Sequence, residues 1–354
     1  MSGQIEATRM WLKEASPSWV RLSSLAALLG CLVAPGIVRA QSSGDDAAWA
    51  RVVAAAKKEG RVTYYSAAPP APMARMIDGF KKAYPDITVE AQRMPTGPLI
   101  SKIDQERAAK AEGADIANST EISWFVARAK EGGLLKPVGP AARGWPAKYL
   151  LEGTTVIAAL EPFIVTYNTR LVPNPPRSYA DLLRPEFKGK IGLSELASMA
   201  VIAWYDWVEK TQGPGYLAKL RAQNPRLYVG TVPIGQAVAS GEISIGGYGV
   251  PTATKSLKDS GAPIDYFVPS PGLGIRYGLA AFAWARNPNA ALVFLDYMMT
   301  RDGQMAWNSS GETASPLPNI PGSLVAASID AYDPSLYPPE VERKFREDWS
   351  RQFK

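Results

Sequence analysis

Helix-like and strand-like segments alternate along residues 45–130, and this alternation limits the folds that the chain can adopt. Residues 45–59 gather alanines and valines on one helical face and stop at Gly60, and the residues at 61–66 are rich in β-branched and aromatic side chains. The same order repeats with helices at 74–84, 99–110 and 123–130 and strands at 87–91 and 114–117. The pattern predicts an α/β fold, in which helices cover the faces of a mostly parallel sheet.

The second half of the chain continues this pattern, with prolines between its segments. The run at 158–167 is strand-like but is interrupted by Pro162. Further strands are predicted at 190–193, 243–245, 265–269 and 278–284, and helices at 197–210, around 237, at 289–300 and from 340 onward. A chain of 354 residues with 46% apolar and 20% charged residues suits two globular lobes better than one small domain.

The first forty residues resemble a secretory signal peptide, which predicts an exported, periplasmic protein. Three basic residues precede an apolar stretch at 22–33, and the residues at 38–40 suit a cleavage site. The apolar stretch is too short and too weakly flanked for a membrane span. Cys31 is the single cysteine. It is either a lipid anchor or a residue lost with the signal, and the cleavage pattern beyond it favours the second reading. In both cases the mature domain has no disulfide.

The residue inventory argues against an enzyme. The chain has no histidine, which excludes Ser-His-Asp and Cys-His nucleophilic sites and every histidine-containing metal site. No dinucleotide fingerprint or P-loop is present, and no spacing of carboxylates marks an acid–base pair. An extracytoplasmic carboxylate-based enzyme is the remaining catalytic alternative. The formal net charge is +6, but no basic stripe is interleaved with aromatics, so nucleic acid is not an expected partner.

Several short motifs follow one another between residues 167 and 304. They are Tyr167-Asn168-Thr169, ADLLRPEFKGKI at 180–191, QAVASGE at 236–242, NPNAALVFLD at 287–296 and Asp302-Gly303-Gln304. In this order and spacing they resemble the periplasmic solute-binding proteins of ABC importers, in the branch that includes the ferric-iron-binding members. The resemblance covers nearly all of the chain after residue 60.

The resemblance implies a two-lobed periplasmic binding protein fold of type II, joined by hinge crossovers. It places residues 44–162 and 276–310 in the first lobe and residues 163–275 and 311–354 in the second. It implies a monomer without a cofactor that captures a small solute, expected to be an organic anion, and delivers it to a membrane permease with its ATPase. A ferric-iron-binding protein and a solute sensor that presents its ligand to a receptor are the alternatives.

Three loops of the first lobe are candidates for ligand contact, because ligands of open α/β sheets collect at the carboxyl ends of strands. Thr96 and Gly97 precede a helix, where free backbone N–H groups and the helix dipole suit an anion. Small polar residues also follow the first and third strands. Ordinary helix caps and hydrophilic loops are the competing explanation. The candidates are Ser66, Ala67, Thr96, Gly97, Asn118, Ser119 and Thr120.

The second lobe and the crossovers supply the other candidates. Ser198 lies near a predicted helix start, which suits either an anionic group or plain capping. Arg276 could clamp a carboxylate or phosphate through two hydrogen bonds, or lie at the surface. Tyr167 could belong to the hinge core or to the ligand wall. The full set is Tyr167, Ser194, Ser198, Met199, Thr231, Gln236, Tyr248 and Arg276.

Tyr248 is the position that bears on iron. The ferric members of the family place two adjacent tyrosines here, whereas this chain has Gly246-Gly247-Tyr248-Gly249 with one. The family's histidine ligand is absent as well. No metal ligand is therefore predicted, unless Tyr248 binds Fe³⁺ together with anions such as carbonate or citrate. Stacking on an organic solute is the expected role of Tyr248.

Overall fold

The computed structural model describes residues 36–196, 198–270 and 272–353. The predicted signal peptide and Cys31 lie outside these residues, apart from residues 36–40 at the start of the first helix. Residues from Gly44 onward form one compact unit, and the following description concerns this unit. Across the described ranges, every helix is too short or too polar to span a membrane.

The strands and helices are numbered here in chain order. The strands of the described residues are β1 (Arg61–Ser66), β2 (Thr88–Arg93), β3 (Ile116–Ser119), β4 (Leu150–Leu151), β5 (Thr155–Pro162), β6 (Ile164–Asn168), β7 (Ile191–Ser194), β8 (Arg226–Tyr228), β9 (Ile245–Gly249), β10 (Ile264–Phe267), β11 (Gly272–Ala281) and β12 (Ile329–Ala331). The helices are α1 (Gly36–Glu59), α2 (Pro70–Ala83), α3 (Thr96–Ala109), α4 (Ile122–Lys130), α5 (Met199–Gln212), α6 (Tyr216–Ala222), α7 (Thr231–Ser240), α8 (Pro251–Asp259), α9 (Pro288–Met299), α10 (Arg301–Asn308) and α11 (Pro339–Phe353).

The first sheet has the strand order β2-β1-β3-β11-β5-β4, with β12 paired to β11. Strand β1 is parallel to β2 and β3, and β11 is antiparallel to β3 and β5. Successive residues of β1 face opposite sides of the sheet. Tyr64 contacts Phe294 of α9, with ring centroids 5.0 Å apart. Tyr65 packs with Leu99 and Phe125 from α3 and α4. Helices therefore cover both faces, as the alternation predicts.

The second sheet has the order β10-β6-β9-β7-β8. Strand β7 is parallel to β8 and β9, whereas β6 is antiparallel to β9 and β10. Trp204 and Tyr205 of helix α5 are buried in the core beside this sheet. The indole N–H of Trp204 donates to the hydroxyl of Tyr179 over 2.9 Å. The mixed α/β class and the presence of two sheets are thus confirmed.

The chain crosses from the first sheet to the second at Pro162, between β5 and β6. The predicted run at 158–167 becomes two strands in different sheets, because Pro162 lacks the N–H that a continuous strand needs. The return crossing leads from β10 to β11, which begins at Gly272 and not at the predicted 278. Its early glycines permit close pairing, since a Cβ on Gly274 would lie 2.5 Å from the backbone oxygen of Glu161.

The C-terminal segment does not follow one sheet throughout, although residues 311–354 were expected in the second lobe. Strand β12 pairs with β11 of the first sheet, and Ala314 forms a bridge with Leu160. Helix α11 then packs on α5 and α6 beside the second sheet. Main-chain pairing, which no side-chain pattern reveals, holds the first part of this segment to the first sheet.

Candidate functional site

Two hydroxyls from different loops meet at the carboxyl ends of the first-sheet strands. The Oγ atoms of Thr96, in the first turn of α3, and Thr120, just after β3, lie 3.0 Å apart. Gly97 is exposed, with open space where a Cβ would be. Helix α3 begins three residues earlier than predicted, so Thr96 and Gly97 form its first turn. The Thr96 hydroxyl contacts Thr120, and the N-cap residue of α3 is Pro95, which makes no side-chain capping hydrogen bond.

The other first-sheet candidates are held within the fold. Ser66 and Asn118 are fully buried, with Ser66 Oγ 3.3 Å from Asn118 Oδ1, and Asn118 donates to the carbonyl of Gly278 over 3.2 Å. Ser119 accepts the backbone N–H of Glu121, and Ala67 donates its N–H to the Asn118 carbonyl. Asn118 and Ser119 were expected in a loop, but both belong to β3, because these hydrogen bonds satisfy polar groups inside the sheet.

A cavity of about 550 Å³ separates the beginnings of α4 and α5. Glu121 and Ser123 line it from the side of α4, and Ser198 and Met199 from the side of α5. Ser198 is the N-cap residue of α5, yet its side chain makes no capping hydrogen bond. Its hydroxyl and the first N–H groups of α5 are therefore available at the cavity wall.

The C-terminal segment forms the rest of the cavity wall, which the sequence interpretation missed. The arginine of this wall, Arg346, donates to the carbonyl of Leu196 and pairs with Glu342. The proline-rich stretch at 334–339 could have indicated this part of the wall, because such a stretch is typical of a rigid surface loop. The wall residues from this segment are Pro334, Tyr337, Pro338, Pro339, Glu342 and Arg346.

Arg276 is a cation without an ion-pair partner among the residues that the structure describes. It lies half-buried on β11, and its Nε atom is buried without a hydrogen-bond partner among the described residues. Its charge acts on Tyr332: burial and Glu121 raise the pKa of the Tyr332 phenol, and Arg276 opposes that rise. The Tyr332 hydroxyl donates to the carbonyl of Thr120 over 3.4 Å. Arg276 therefore acts electrostatically on Tyr332, whose hydroxyl reaches the Thr120 carbonyl, but it is not one of the residues that line the cavity.

Tyr248 lies in the aromatic core of the second sheet. It is 4% exposed, with ring centroids 4.9 Å from Phe163 and 5.2 Å from Trp204. Burial, followed by the neighbouring Tyr332, raises its pKa well above the usual range of a phenol. A phenolate ligand for Fe³⁺ would have to overcome this environment. Within the described ranges, no group of three or more Cys, Asp or Glu side chains is arranged to hold a metal ion.

The remaining candidates lie away from the cavity wall. Ser194 is fully buried and donates its hydroxyl to the carbonyl of Glu195. Tyr167 is half-buried on β6, where burial and Asp265 raise its pKa. Thr231 opens α7, and Gln236 is exposed on that helix. Ligand contact by these four residues stays a prediction.

Comparisons with solved structures agree with this architecture. The substrate-binding protein of an ABC transporter from Agrobacterium tumefaciens has a TM-score of 0.74 at 19% identity, over 83% of this chain and 94% of that one. Iron-bound HitA from Pseudomonas aeruginosa has a TM-score of 0.64 at 19% identity, over 81% and 98%. AfuA from Actinobacillus pleuropneumoniae, with fructose-6-phosphate bound, has a TM-score of 0.63 at 19% identity, over 83% and 98%. A comparison with curated protein sequences gave no significant match.

A family model agrees with the structural likeness. The model of the bacterial extracellular solute-binding proteins matches residues 75–331, well over half of the chain. Members of this family bind small solutes for ABC transporters and work with a permease and an ATPase. The chain therefore belongs to the bacterial extracellular solute-binding proteins and is the two-lobed, solute-binding component of an ABC transporter.

Proposed function

We propose that this protein captures a small organic anion that pairs with Arg276 and extends into the cavity between the starts of α4 and α5. The protein works as a periplasmic monomer, without catalysis or a cofactor, after removal of residues 1–40. The observation that carries the anionic assignment is that Arg276 combines a buried Nε without a hydrogen-bond partner with the lack of an ion pair, both among the described residues. Arg128 and Arg184 also have such an Nε, but each forms an ion pair.

An arginine that is partly removed from water and left unpaired is costly, and a bound anion removes that cost. The planar guanidinium matches a carboxylate or phosphate in a two-hydrogen-bond geometry. The burial of Nε and the lack of any ion pair for Arg276 in the described ranges support this role over that of a surface arginine.

Two helix N-termini add partial positive charge. At the start of helix α5, the N-cap residue Ser198 makes no capping hydrogen bond with its side chain. At the start of helix α3, Thr96 lies in the first turn. Backbone N–H groups at such ends bind anions without any charged side chain. A volume of about 550 Å³ is within the range of small-molecule sites, so a solute of sugar-phosphate or citrate size suits this cavity.

The protein captures its solute because the solute contacts residues beside both sheets at once. Thr96 and Thr120 stand beside the first sheet, whereas Ser198 and Met199 begin a helix of the second. A solute that contacts both groups stabilises the conformation in which they are close, and this population shift produces the closed form. The permease then receives the closed form, and no covalent bond is made or broken.

Ferric iron is the second candidate, because iron-bound HitA shares the fold. That likeness is at 19% identity and extends to the fold alone. Burial of Tyr248 against Phe163 and Trp204 disfavours a phenolate at the position where the ferric branch places its tyrosines. An iron–anion complex is therefore included as a probe in the test and is not the expected solute.

The test is a thermal-shift screen followed by calorimetry on protein freed of bound solute by unfolding and refolding. The probes are citrate, fructose 6-phosphate, inorganic phosphate, ferric citrate and spermidine. An organic anion at about a hundred times its dissociation constant should stabilise the protein by roughly 2.7 kcal/mol. Arg276→Gln should weaken that binding by about ten-fold or more, since a charge-assisted bidentate contact is lost.

Arg128→Gln is the matched control, because Arg128 is also half-buried with an Nε that lacks a hydrogen-bond partner among the described residues, but it has an ion pair with Glu131. It should leave affinity unchanged. Binding of spermidine alone, or of ferric citrate alone, would contradict the assignment. So would full affinity for the anion in Arg276→Gln. Turnover of any probe would contradict the absence of catalysis.

A further inference from the structure

Glu161 is a fully buried carboxylate at the first crossing between the sheets. It lies on β5, directly before Pro162 and the start of β6. Its Oε1 accepts the backbone N–H of Thr252 over 2.9 Å and the Thr252 hydroxyl over 2.5 Å. Its Oε2 accepts the hydroxyl of Tyr277 over 2.7 Å. All three hydrogen bonds are buried.

These hydrogen bonds connect the two sheets. Thr252 lies in the first turn of α8, which packs on β10 of the second sheet, whereas Tyr277 lies on β11 of the first. The N-cap of α8 is Val250, which has no side chain that can cap the helix. Glu161 supplies that cap from the other sheet, and a carboxylate at a helix N-terminus is favourable for both partners.

The two crossings between consecutive strands, β5 to β6 and β10 to β11, meet at this carboxylate. The chain leaves the first sheet through Pro162 and returns to it through β11, on which Tyr277 follows Arg276. Residues 274–277 of β11 pair with residues 159–162 of β5. A rotation of one sheet relative to the other must bend the chain here, so the links of Glu161 lie at the pivot.

We propose that Glu161 is a positioning residue of the hinge, whose ionised carboxylate holds the first turn of α8 to strands β5 and β11 and so fixes the pivot about which the protein closes. The inference rests on the proposed function only in that closure around a solute is the motion it controls.

The charge of Glu161 depends on its surroundings. Burial raises its pKa to about 7, the hydrogen bonds from Thr252 and Tyr277 oppose that rise, and Glu312 adds to it. Glu312 pairs with Arg75 over 2.9 Å.

The other titratable groups around it are the phenols of Tyr248 on β9 and Tyr277 on β11, both with raised pKa, and Arg93 on β2, which acts through Tyr277. With a pKa of about 7, Glu161 changes charge near neutral pH, where the phenols of Tyr248 and Tyr277 stay protonated.

Protonation weakens the links. An ionised carboxylate accepts at both oxygens, whereas the neutral acid carries a proton on one of them and donates there. With the proton on Oε2, the hydrogen bond with Tyr277 must reverse its direction, and with the proton on Oε1, that proton competes with the two donors of Thr252. In either form the hydrogen bonds lose the strength that the negative charge gives them. The pivot therefore loosens as the pH falls through about 7.

The experiment measures the pivot without any solute. Spin labels at Lys82→Cys on α2 and Lys219→Cys on α6, in a Cys31→Ser background, report the distance between the two sheets by pulsed EPR. In the native protein, the distribution of distances between the two spin labels should be about two-fold broader at about pH 5.5 than at about pH 8.5. The reason is that the protonated hinge samples more conformations. In parallel, the amide resonance of Thr252 should titrate with a midpoint near 7.

Glu161→Gln should give the broad distribution at both pH values and lose the titration of the Thr252 amide, since an amide side chain mimics the neutral acid. Asp296→Asn is the matched control. Asp296 is another buried carboxylate, which accepts the N–H of Ala141 away from the crossings, and it should leave the pH response intact. Tyr277→Phe, which removes one link and keeps the charge, provides a second variant if Glu161→Gln folds poorly, and it should broaden the distribution at high pH.

A native distribution that does not change with pH would overturn the proposal, as would a narrow distribution in Glu161→Gln at about pH 8.5. Because no solute is used, a failed solute screen leaves this test intact. Conversely, an unresponsive hinge leaves the loss of anion binding in Arg276→Gln unaffected.

Discussion

Individual buried carboxylates give this protein its pH dependence. Asp296 on α9 is 3% exposed and accepts the backbone N–H of Ala141 over 2.9 Å. Burial raises its pKa to about 6, although the N–H groups of Ala141 and Ala142 and the charge of Arg143 oppose the rise. A group whose pKa is higher in the folded state binds its proton more tightly there than in the unfolded chain. The stability that this proton adds is present at low pH and is lost as the pH rises through 6.

Asp296→Asn should therefore flatten the pH dependence of stability. In the native protein, the free energy of unfolding should fall by roughly 1–2 kcal/mol between about pH 4 and pH 7 through this group. Urea denaturation across that range, monitored by tryptophan fluorescence, measures the slope. Asp86→Asn, at an exposed ion pair with Lys57, is the control and should keep the native slope. An unchanged slope in Asp296→Asn would contradict the assignment.

For single residues, the sequence suggests which side chains are candidates for ligand contact but not which groups they contact in the fold. Arg276 is a candidate because the resemblance places it at the second crossover, and its role in ligand contact stays a prediction. Asn118 and Ser119 were assigned to a loop by their polarity, yet both are buried in β3. Their hydrogen bonds to Gly278 and Glu121 depend on chain segments up to 160 residues away, which local polarity cannot reveal.

The end of a helix can be predicted from the sequence when the residue that caps it lies next to the helix in the chain. Helices α9 and α10 are separated by Thr300, whose hydroxyl accepts the N–H of Gly303 over 3.1 Å and donates to the carbonyl of Tyr297. Gly303 is also required there, since a Cβ would lie 2.1 Å from the Tyr297 oxygen. The predicted helix at 289–300 ends within one residue of the observed end because these signals are local.

Thr300→Ala should lower the free energy of unfolding by about 1 kcal/mol, because the first turn of α10 loses its cap. Chemical denaturation at neutral pH measures the change. Thr300→Ser keeps the hydroxyl and should stay within a few tenths of a kcal/mol of the native protein. A loss of equal size in both variants would mean that the methyl group, and not the cap, stabilises this junction.

Helix α8 shows the limit of local signals. Its N-cap is Val250, and the carboxylate that caps it belongs to Glu161, 91 residues earlier. Pro251 at the first helical position predicts a helix start, but no sequence rule links that start to β5.

For the whole molecule, the proposed capture of a solute depends on groups that come from different sheets. Thr96 and Ser198 come from the first turn of α3 and the N-cap of α5, and neither side chain caps its own helix. Hydroxyls that are not needed for capping are available to a solute. Their removal should weaken binding without weakening the fold.

The double variant Thr96→Ala with Ser198→Ala should bind the solute identified in the screen roughly ten-fold more weakly, while its unliganded melting temperature stays close to that of the native protein. Calorimetry and thermal melting measure the two quantities. Thr211→Ala with Ser260→Ala removes two exposed hydroxyls that donate to nearby carbonyls, and it is the control. Normal affinity in the Thr96–Ser198 variant would remove both residues from the site.

The sequence by itself determined the class of the protein: alternating periodicities predict an α/β fold, Pro162 interrupts a strand-like run, and the motif order between residues 167 and 304 points to the solute-binding family. These properties depend on neighbouring residues along the chain. Only the tertiary structure decided that the segment at 334–346 walls the cavity, that Tyr248 is buried in aromatic core and that Glu161 joins the two sheets. Each of these contacts depends on strand pairing and burial between segments distant in sequence, and such pairings are set by how the sheets pack rather than by any local pattern.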